Sequence, residues 1–333
     1  MIGWLKIAET SAVAEARRRA RRTANAMGLH STKVEHAAIV ATEIAQNVLR
    51  HGGGGRILIE IFGAPSLERL HIVGHDEGPG IGRIDRMMRD GETTKDSPGT
   101  GLGAIKRLSD RLDIFSEPGR TVIAAEFRRQ TIRQTDPVDH AGFKLAFPGE
   151  RRCGDTVAVK SSHDECLYFL ADGLGHGVKA AGAAAAGKKA FLAAQGDDPA
   201  DILLQIGDAL QDTRGAVGAV VALNRSKGRV RYAGIGNIST LIVQGRSVRR
   251  LVVRDGLLGG RVTAPHQETL EVDPNAILLM HSDGLNTLRT LDTQASLLQR
   301  SAPVIAADLL ANNLRGRDDA SIIVSRISQA RTL

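Results

Sequence analysis

The sequence predicts an α+β protein with two separately organised regions. Helical patterns come first and strand patterns follow them, an order typical of a compact α/β sandwich. The second region is dominated by short strand patterns, and several of its apolar runs end at acidic residues. With 333 residues, the chain is long enough to form two hydrophobic cores.

Helical periodicity opens the first region. Small apolar residues repeat at helical spacing over 11–27, and again over 34–48 before the glycine run at 52–55. Strands, a glycine-rich interval, a further helix and two more strands are predicted after them, at 56–62, 70–73, 78–100, 104–111, 112–115 and 121–127.

A polar, aperiodic stretch that contains Pro137 predicts a linker. We therefore expect a first domain at 1–129, a linker at 130–140 and a second domain at 141–333. Strands of the second domain are predicted at 142–147, 156–160, 165–171, 216–223, 229–233 and 239–243. Its helices are predicted at 178–194, 199–213 and 302–312.

Charge and composition narrow the function classes. The 44 basic and 37 acidic residues give a net charge of +7, and part of the excess lies in the arginines between Arg17 and Arg22. These alternate with alanines at helical spacing, which favours a solvated helix face over a nucleic-acid patch. Aromatic residues make up only 3%, so no base-stacking surface is indicated.

The cysteines and the apolar runs of the sequence predict the cellular compartment of the protein. Cys153 and Cys166 provide neither a disulfide framework nor paired metal spacing, and we expect both to pack as small apolar residues. No apolar stretch approaches the roughly 18 residues of a membrane span, and the start of the chain does not resemble a signal peptide. We expect a cytoplasmic protein that binds neither nucleic acid nor membrane.

Four acidic sites punctuate the second region, most of them at strand ends. Asp172 follows the apolar run 167–170 and is itself followed by glycines. Asp155, Asp283 and Asp318 lie in G-D, S-D-G and D-D-A-S segments. An isolated Asp-Gly pair is usually an ordinary turn, but four such sites together suit hard cations bound through oxygen.

The order G-D, A-D-G-x-G-H-G, S-D-G, D-D-A-S over about 140–328 resembles the metal-dependent Ser/Thr phosphatases of the PPM type, in their bacterial SpoIIE-like branch. The resemblance implies a β-sandwich flanked by helices and two Mn²⁺ or Mg²⁺ ions. It implies metal ligands at Asp155 (through water), Asp172, Gly173 (through its carbonyl oxygen), Asp283 and Asp318.

Two neighbours of these ligands receive smaller roles. Asp319 stands where relatives of this type carry a neutral residue, so we expect it to matter less. His176 could act on a metal or as an acid, but a packing role after the glycine turn is an equal alternative. The resemblance requires no covalent nucleophile, so neither cysteine is expected to be catalytic.

The first region carries its own polar pattern. Glu43 and Asn47 are four residues apart on a predicted helix and so share one face; a glutamate can accept a proton and an asparagine oxygen can bind a divalent ion. Asp76 begins a D-x-G-x-G segment after a strand, and G-T-G-L-G at 99–103 opens a helix. Backbone N–H groups at such a helix start favour phosphate. No GxxxxGK[ST] motif is present in the sequence, which disfavours a P-loop NTPase.

These segments, over about 5–128, resemble the GHKL (Bergerat-fold) ATP-binding domain, and within it the small anti-sigma-factor and stressosome switch kinases. Such kinases phosphorylate Ser or Thr on a STAS-domain partner. The resemblance implies ATP with Mg²⁺, Asp76 as acceptor for the adenine amino group, Asn47 as Mg²⁺ ligand and Glu43 as general base. Its cofactor-binding residues would be Asn47, Asp76, Gly78, Gly80, Thr100, Gly101, Gly103 and Thr121.

Together the two resemblances predict a bifunctional regulator that phosphorylates and dephosphorylates Ser/Thr on a STAS-domain protein of a sigma-factor network. An alternative is a phosphatase whose first domain docks a partner without phosphorylating it. Glu43 favours the kinase, because a pure binding module needs no base at that position. An ATP-hydrolysing chaperone-like switch is disfavoured by the short interval between the glycine boxes, which predicts a small lid. A homodimer is left open.

Overall fold

The first region is one antiparallel sheet with helices on one face. The computed structural model describes residues 3–82, 84, 101–129, 138–162, 164–260 and 265–327. The strands lie in the order β1-β2-β3-β5-β4, with bounds β1 Leu5–Ile7, β2 Gly55–Phe62, β3 Arg69–Asp76, β4 Arg111–Glu117 and β5 Arg120–Arg128. The helices are α1 Thr10–Ala26, α2 Ser31–Arg50 and α3 Gly101–Leu108.

This arrangement confirms the predicted α/β sandwich. Helix α3 begins at Gly101 rather than at 104, because the helix starts inside the glycine box itself. Alanines of α1 and α2 pack against one sheet face through Ile57, Ile59 and Ile72. Small side chains on the helices let the backbone come close to the branched side chains of the sheet.

The second region is a sandwich of two five-stranded sheets, as expected. Their orders are β13-β10-β9-β8-β7 and β12-β11-β14-β15-β6. The strands are β6 Asp139–Leu145, β7 Asp155–Ser161, β8 Glu165–Gly173, β9 Ala216–Asn224, β10 Arg229–Ile235, β11 Ser239–Gln244, β12 Ser247–Arg250, β13 Gln267–Glu271, β14 Ile277–His281 and β15 Ala320–Arg326. The helices are α4 Gly177–Ala193, α5 Pro199–Ala209, α6 Ala295–Leu298 and α7 Ala302–Asn312, with a 3₁₀ turn at Leu291–Thr293.

Helices cover both outer faces of this sandwich. Helices α4 and α5 pack on the sheet that contains β7 to β10, and α7 packs on β6 and β15. Residues Asp139 and His140, expected in the linker, form the start of β6 instead, since they pair with Arg326 and Ser325 of β15. The remaining expected linker residues, 130–137, lie outside the described residues. None of the described helices is long and apolar enough to cross a membrane.

Helix α7 joins the two regions. One side of it packs on β6 and β15, and the other side packs on β3, β4 and β5 of the first region. Its residues 302–311 are all buried. The face of the first sheet turned away from α1 and α2 contributes Leu58, Val73 and Val122 to the same apolar cluster as Leu309 of α7. The two regions therefore share one continuous core.

Polar contacts also hold α7 at the boundary between the two regions, which we call the seam. The Arg120 guanidinium of β5 pairs with the fully buried carboxylate of Asp308, through Nε to Oδ1 at 2.6 Å. At the start of the helix, the Ser301 N–H donates to Asp113 Oδ2 at 2.7 Å and the Ala302 N–H donates to Asp139 Oδ2 at 3.2 Å. Carboxylates are favourable at this end because the helix dipole is positive there. The seam is thus tied by charge as well as by apolar packing.

Candidate functional site

The first region contains a cavity of about 220 Å³ between α2 and the sheet. Its polar lining includes Asn47, Asp76 and Thr121, and Gly80 forms part of its wall. Apolar side chains complete it: Ile81, Leu102 and Ile123. A mostly apolar cavity with a few placed polar groups suits a planar organic ligand. The structure thus brings together residues that the sequence spreads over 77 positions, from Asn47 to Ile123.

Asp76 stands at the end of β3 in this cavity wall. Its side chain is buried and its Oδ1 accepts the Gly78 N–H at 3.0 Å. Burial raises the pKa of the Asp76 carboxyl, and the Gly78 hydrogen bond opposes that shift. A carboxylate held beside apolar walls can accept from an amino group such as that of adenine.

Glycine is required at both positions after Asp76. Gly80 has φ of +84°, and a Cβ there would lie 2.9 Å from the Glu117 carbonyl oxygen. A Cβ at Gly78 would lie 2.7 Å from Gly52 Cα. Larger residues would force the loop away from the cavity.

Thr121 lines the same cavity, and its side chain makes a hydrogen bond that the sequence did not predict. Its Oγ1 lies 2.9 Å from Ser116 Oγ, which accepts the Ile81 N–H at 2.8 Å. Ser116 belongs to no motif, and only its place opposite Thr121 in the β4–β5 ladder gives it this contact. Ser116 therefore connects Thr121, which lines the cavity, to Ile81 in the loop after Gly80.

Glu43 and Asn47 face the start of α3. A Cβ at Gly101 would lie 3.5 Å from Glu43 Oε2 and 3.6 Å from Asn47 Oδ1. The Asn47 Nδ2 is buried and has no hydrogen-bond partner among the described residues. Gly103 is buried in the same first turn. Thr100, predicted to bind phosphate, lies outside the described residues.

The second site lies at one end of the β-sandwich, where both sheets contribute acidic residues. Asp155 and Asp172 are directly opposite one another in the β7–β8 ladder. Asp283 follows β14 and Asp318 precedes β15, the neighbouring strand. Gly284 packs against the backbone of Asp319, which brings these two segments together. All four predicted acidic ligands thus converge.

Electrostatics at this end are unfavourable without a cation. Asp155 is fully buried, and neither of its carboxylate oxygens makes a hydrogen bond of good geometry among the described residues, although the side chains of Ser282 and Ser321 are near enough to lower its pKa. Burial raises the pKa of both Asp155 and Asp172, and for Asp172 the nearby Asp155, Asp283 and Asp318 raise it further. Like charges on facing strands are destabilising.

Buried carboxylate oxygens without partners fit a hard divalent cation. Asp283 Oδ1 is buried and lacks a partner in the same way as the Asp155 oxygens, within the described ranges. No group of three or more His, Cys, Asp or Glu side chains in the described part of the chain is arranged to hold a metal ion as it stands. The cation itself would have to draw these repelling side chains together.

Gly173 extends the β7–β8 ladder next to Asp172. Its N–H donates to the Gly154 carbonyl oxygen at 3.0 Å. Any Cβ at this position would collide with the Ala180 carbonyl oxygen of α4. The backbone at residue 173 is therefore held close to both Asp172 and the helix.

The sequence analysis underestimated one residue near this site, Asp319, and missed another, Asn237. Asp319 is buried and accepts the Phe147 N–H at 2.8 Å and the Gly154 N–H at 2.9 Å, so it anchors the loop that leads to Asp155. Asn237 Nδ2 donates to Asp283 Oδ2 at 2.8 Å. The signal for Asn237 was a G-I-G-N segment after an apolar strand, the same kind of signal as the acidic sites.

His176 has contacts typical of a packing residue. Its ring stacks on Phe147 with centroids 4.9 Å apart, and its Nδ1 lies 3.0 Å from Glu150 Oε1. These contacts connect the loop after Asp172 with the loop before Asp155. Cys153 is buried, and burial raises the pKa of its thiol, which makes it a poor nucleophile.

The two sites and the fold that carries them define a class of protein: a kinase-like ATPase domain fused to a phosphatase domain of the PPM type. Comparison with known families agrees with this class. The histidine kinase-like ATPase domain matches residues 7–127, and Stage II sporulation protein E (SpoIIE) matches residues 162–328. The chain belongs to the SpoIIE family and carries the histidine kinase-like ATPase domain in front of it.

Individual proteins resemble each half. Phosphoserine phosphatase RsbX of Bacillus subtilis (strain 168) is 24% identical over 200 residues, which are 59% of this chain and 98% of RsbX. Serine/threonine-protein kinase RsbT of the same organism is 32% identical over 107 residues, which are 32% of this chain and 80% of RsbT. A crystal structure of RsbX in complex with magnesium has a TM-score of 0.53 at 20% identity and covers 66% of this chain and 100% of that chain.

Proposed function

We propose that the protein removes phosphate from Ser or Thr of a STAS-domain partner at the second site and restores it from ATP at the first. The observation that carries the proposal is the convergence of Asp155, Asp172, Asp283 and Asp318 at one end of the sandwich. RsbX, which resembles the second half, is named a phosphoserine phosphatase, and RsbT, which resembles the first, is named a serine/threonine-protein kinase.

The phosphatase half depends on the acidic cluster. We assign Asp155, Asp172, Asp283 and Asp318, with the Gly173 carbonyl oxygen, as the residues that would hold two Mg²⁺ or Mn²⁺ ions. Bound there, the ions would supply positive charge for the phosphate dianion and lower the pKa of a water molecule. The protein's own contribution is to hold the carboxylates in place, through Asn237 on Asp283 and through Asp319 on the loop before Asp155.

The kinase half depends on the contact of Glu43 and Asn47 with the start of α3. Asp76 would accept the adenine amino group, Gly78 and Gly80 would admit the ring, and Thr121 would support it. The backbone N–H groups at Gly101 and Gly103, at the start of α3, would bind the phosphates. Glu43, on the same helix face as Asn47, would take the proton from the substrate hydroxyl. A role for Glu43 as base is the feature that separates a kinase from a docking module.

The test is intact-mass spectrometry of STAS-domain proteins from the same genome, incubated with ATP, Mg²⁺ and the full chain. Asp172→Asn should drive a partner to a high phosphorylated fraction, and wild type should leave a lower steady level. Glu43→Ala should only remove phosphate. If Glu43→Ala and wild type both fail to add phosphate while both remove it, the first domain is the docking module rather than a kinase.

A further inference from the structure

Three loops surround the acidic end of the sandwich, and each carries exposed arginines. Their arginines are Arg151 and Arg152 between β6 and β7, Arg214 between α5 and β9, and Arg315 and Arg317 between α7 and β15. We call these five side chains the arginine rim.

Backbone contacts attach all three loops to the acidic site. The Leu174 N–H donates to the Gly215 carbonyl oxygen at 3.2 Å, so Arg214 lies beside the loop after Asp172. A Cβ built at Gly175 would lie 3.2 Å from Arg214 Nη1. The Arg315 N–H donates to the Gly284 carbonyl oxygen at 2.9 Å, next to Asp283.

The loop with Arg151 and Arg152 is also held. Glu150 contacts His176 at 3.0 Å, and Phe147 stacks on the same imidazole ring. Asp319 accepts the backbone N–H groups of Phe147 and Gly154, at the two ends of this segment. The arginines of the rim therefore stand on anchored backbone.

Several exposed arginines elsewhere in the protein are ion-paired, whereas others, such as Arg246, are unpaired among the described residues like those of the rim. Arg18 and Arg22 pair with Glu15, Arg21 pairs with Glu35 and Arg249 pairs with Glu268. None of the five rim arginines forms an ion pair or side-chain hydrogen bond with another residue in the part of the chain that the structure describes. Guanidinium groups that are not engaged in an ion pair are available for a partner's acidic groups.

Exposed apolar side chains lie within the rim. Leu174 is 44% exposed and Val178 is 67% exposed, on the loop and first helical turn that follow Asp172. Apolar residues bordered by charged ones are typical of surfaces that bind another protein. A small phosphate ester would have no use for such a border, because it would reach only the acidic centre.

Resting on the proposed phosphatase function, we infer that the arginine rim docks an acidic segment around the phosphorylated residue of a protein substrate. The positive border steers acidic surface toward the site and disfavours basic surface. Leu174 and Val178 contact apolar side chains of the same partner. The rim thus selects substrates by the charge that flanks the phosphate.

Matched phosphoserine peptides test the inference. One peptide carries glutamates on both sides of phosphoserine and the other carries lysines, and kcat/KM for each is measured with the full chain and Mn²⁺. Wild type should prefer the acidic peptide by about tenfold or more, since each exposed ion pair contributes up to a few-fold. In Arg151→Glu/Arg152→Glu and in Arg315→Glu/Arg317→Glu the ratio should fall to near one or invert, and added salt should compress it in wild type.

Arg246→Glu is the control, because it makes the same kind of change, at one position instead of two, on the exposed turn after β11, at the far end of that strand from Asn237 and the acidic site. It should keep the wild-type ratio. Equal rates on both peptides in wild type would overturn the inference that the rim docks an acidic segment. An unchanged ratio in both rim variants would overturn it as well.

Turnover of p-nitrophenyl phosphate reports the acidic centre separately. If wild type does not hydrolyse p-nitrophenyl phosphate, the proposed phosphatase activity is contradicted. The role of the rim is then tested by the binding of the two fluorescein-labelled peptides, measured by anisotropy, and the same ratios between the acidic and the basic peptide are expected for their affinities.

Discussion

The two sites of this protein are prepared for their ligands in opposite ways. The cavity beside Asp76 is already shaped, with apolar walls and a single buried carboxylate that accepts a backbone hydrogen bond. At the other site, the carboxylates of Asp155 and Asp172 lie opposite each other on adjacent strands, and both oxygens of Asp155 are buried without a hydrogen-bond partner among the described residues. The first site is therefore preformed for an uncharged ring, whereas the carboxylates of the second site repel one another until cations offset their charges.

The largest effect should follow from changing Asp172, which lies opposite Asp155 and near Asp283 and Asp318. Asp172→Asn keeps the shape of the side chain and removes a negative charge that would hold the cations. Phosphopeptide hydrolysis should fall by more than about 100-fold, because even losing a residue that orients a metal ligand costs about 10- to 100-fold. The rate with Mn²⁺ and with excess EDTA measures this. Asp273→Asn, at the opposite end of the sandwich, is the control; full wild-type activity in EDTA would refute a metal-dependent centre.

A second change separates chemistry from binding in the preformed cavity. Glu43→Ala should retain ATP, because Glu43 faces α3 and is not among the residues that line the cavity. Phosphoryl transfer to a STAS-domain partner should drop by about 100-fold or more, the usual contribution of a general base. Transfer from γ-labelled ATP measures the rate. Transfer at the wild-type rate would remove Glu43 from the mechanism.

Asp76→Asn should act on binding instead. Replacing the acceptor with an amide removes a charged hydrogen bond, worth about 1.5–3 kcal/mol, which corresponds to about 10- to 100-fold in Kd. Calorimetric titration with ATP measures the loss, and titration with GTP serves as the comparison, because guanine presents no amino group in the same place. Unchanged ATP affinity would mean that adenine does not contact Asp76.

The smallest effect concerns the seam between the regions. Burial lowers the pKa of His71 to about 4 and that of His75 to about 3, and His140 is lowered as well. A depressed folded-state pKa leaves stability intact above the unfolded value near 6.5 and removes it as pH falls toward 4. At pH 5 each histidine should cost about 1–2 kcal/mol.

Thermal melting between pH 7.5 and pH 5 measures this loss. Replacing His71 with Gln should flatten the dependence of Tm on pH, whatever it does to Tm itself. His30→Gln, on an exposed imidazole, should leave the slope unchanged. A Tm that does not change with pH in wild type would show that protonation of these histidines does not destabilise the packing between the two regions.

The residues proposed to carry chemistry were selected from local signals in the sequence, and the structure brings several of them together. An aspartate at the end of an apolar strand, followed by glycine, marks both Asp76 and Asp172, and the fold placed each where a ligand can reach it. Asp319 was predicted to matter less because relatives of this type carry a neutral residue there, whereas its hydrogen bonds to Phe147 and Gly154 join segments more than 160 positions apart in the chain. Sequence spacing carries no information about such contacts.

Helix α7 shows the same limit for the fold. Its sequence is apolar on every side, which is typical of a helix buried all round. That pattern predicts that something covers both faces but not what covers them. Asp113, Asp139 and Arg120, which cap or pair with the helix, belong to strands that show no motif.

The position of α7 has a consequence for any attempt to separate or exchange the two halves. A chain that stopped before the phosphatase domain would leave Leu58, Val73 and Val122 in contact with water, and would need a second copy or another protein to cover them. Here a helix of the neighbouring domain supplies that cover. Because the cover belongs to the same chain, it is present at any protein concentration, and a replacement for the second half would have to cover this sheet face as well.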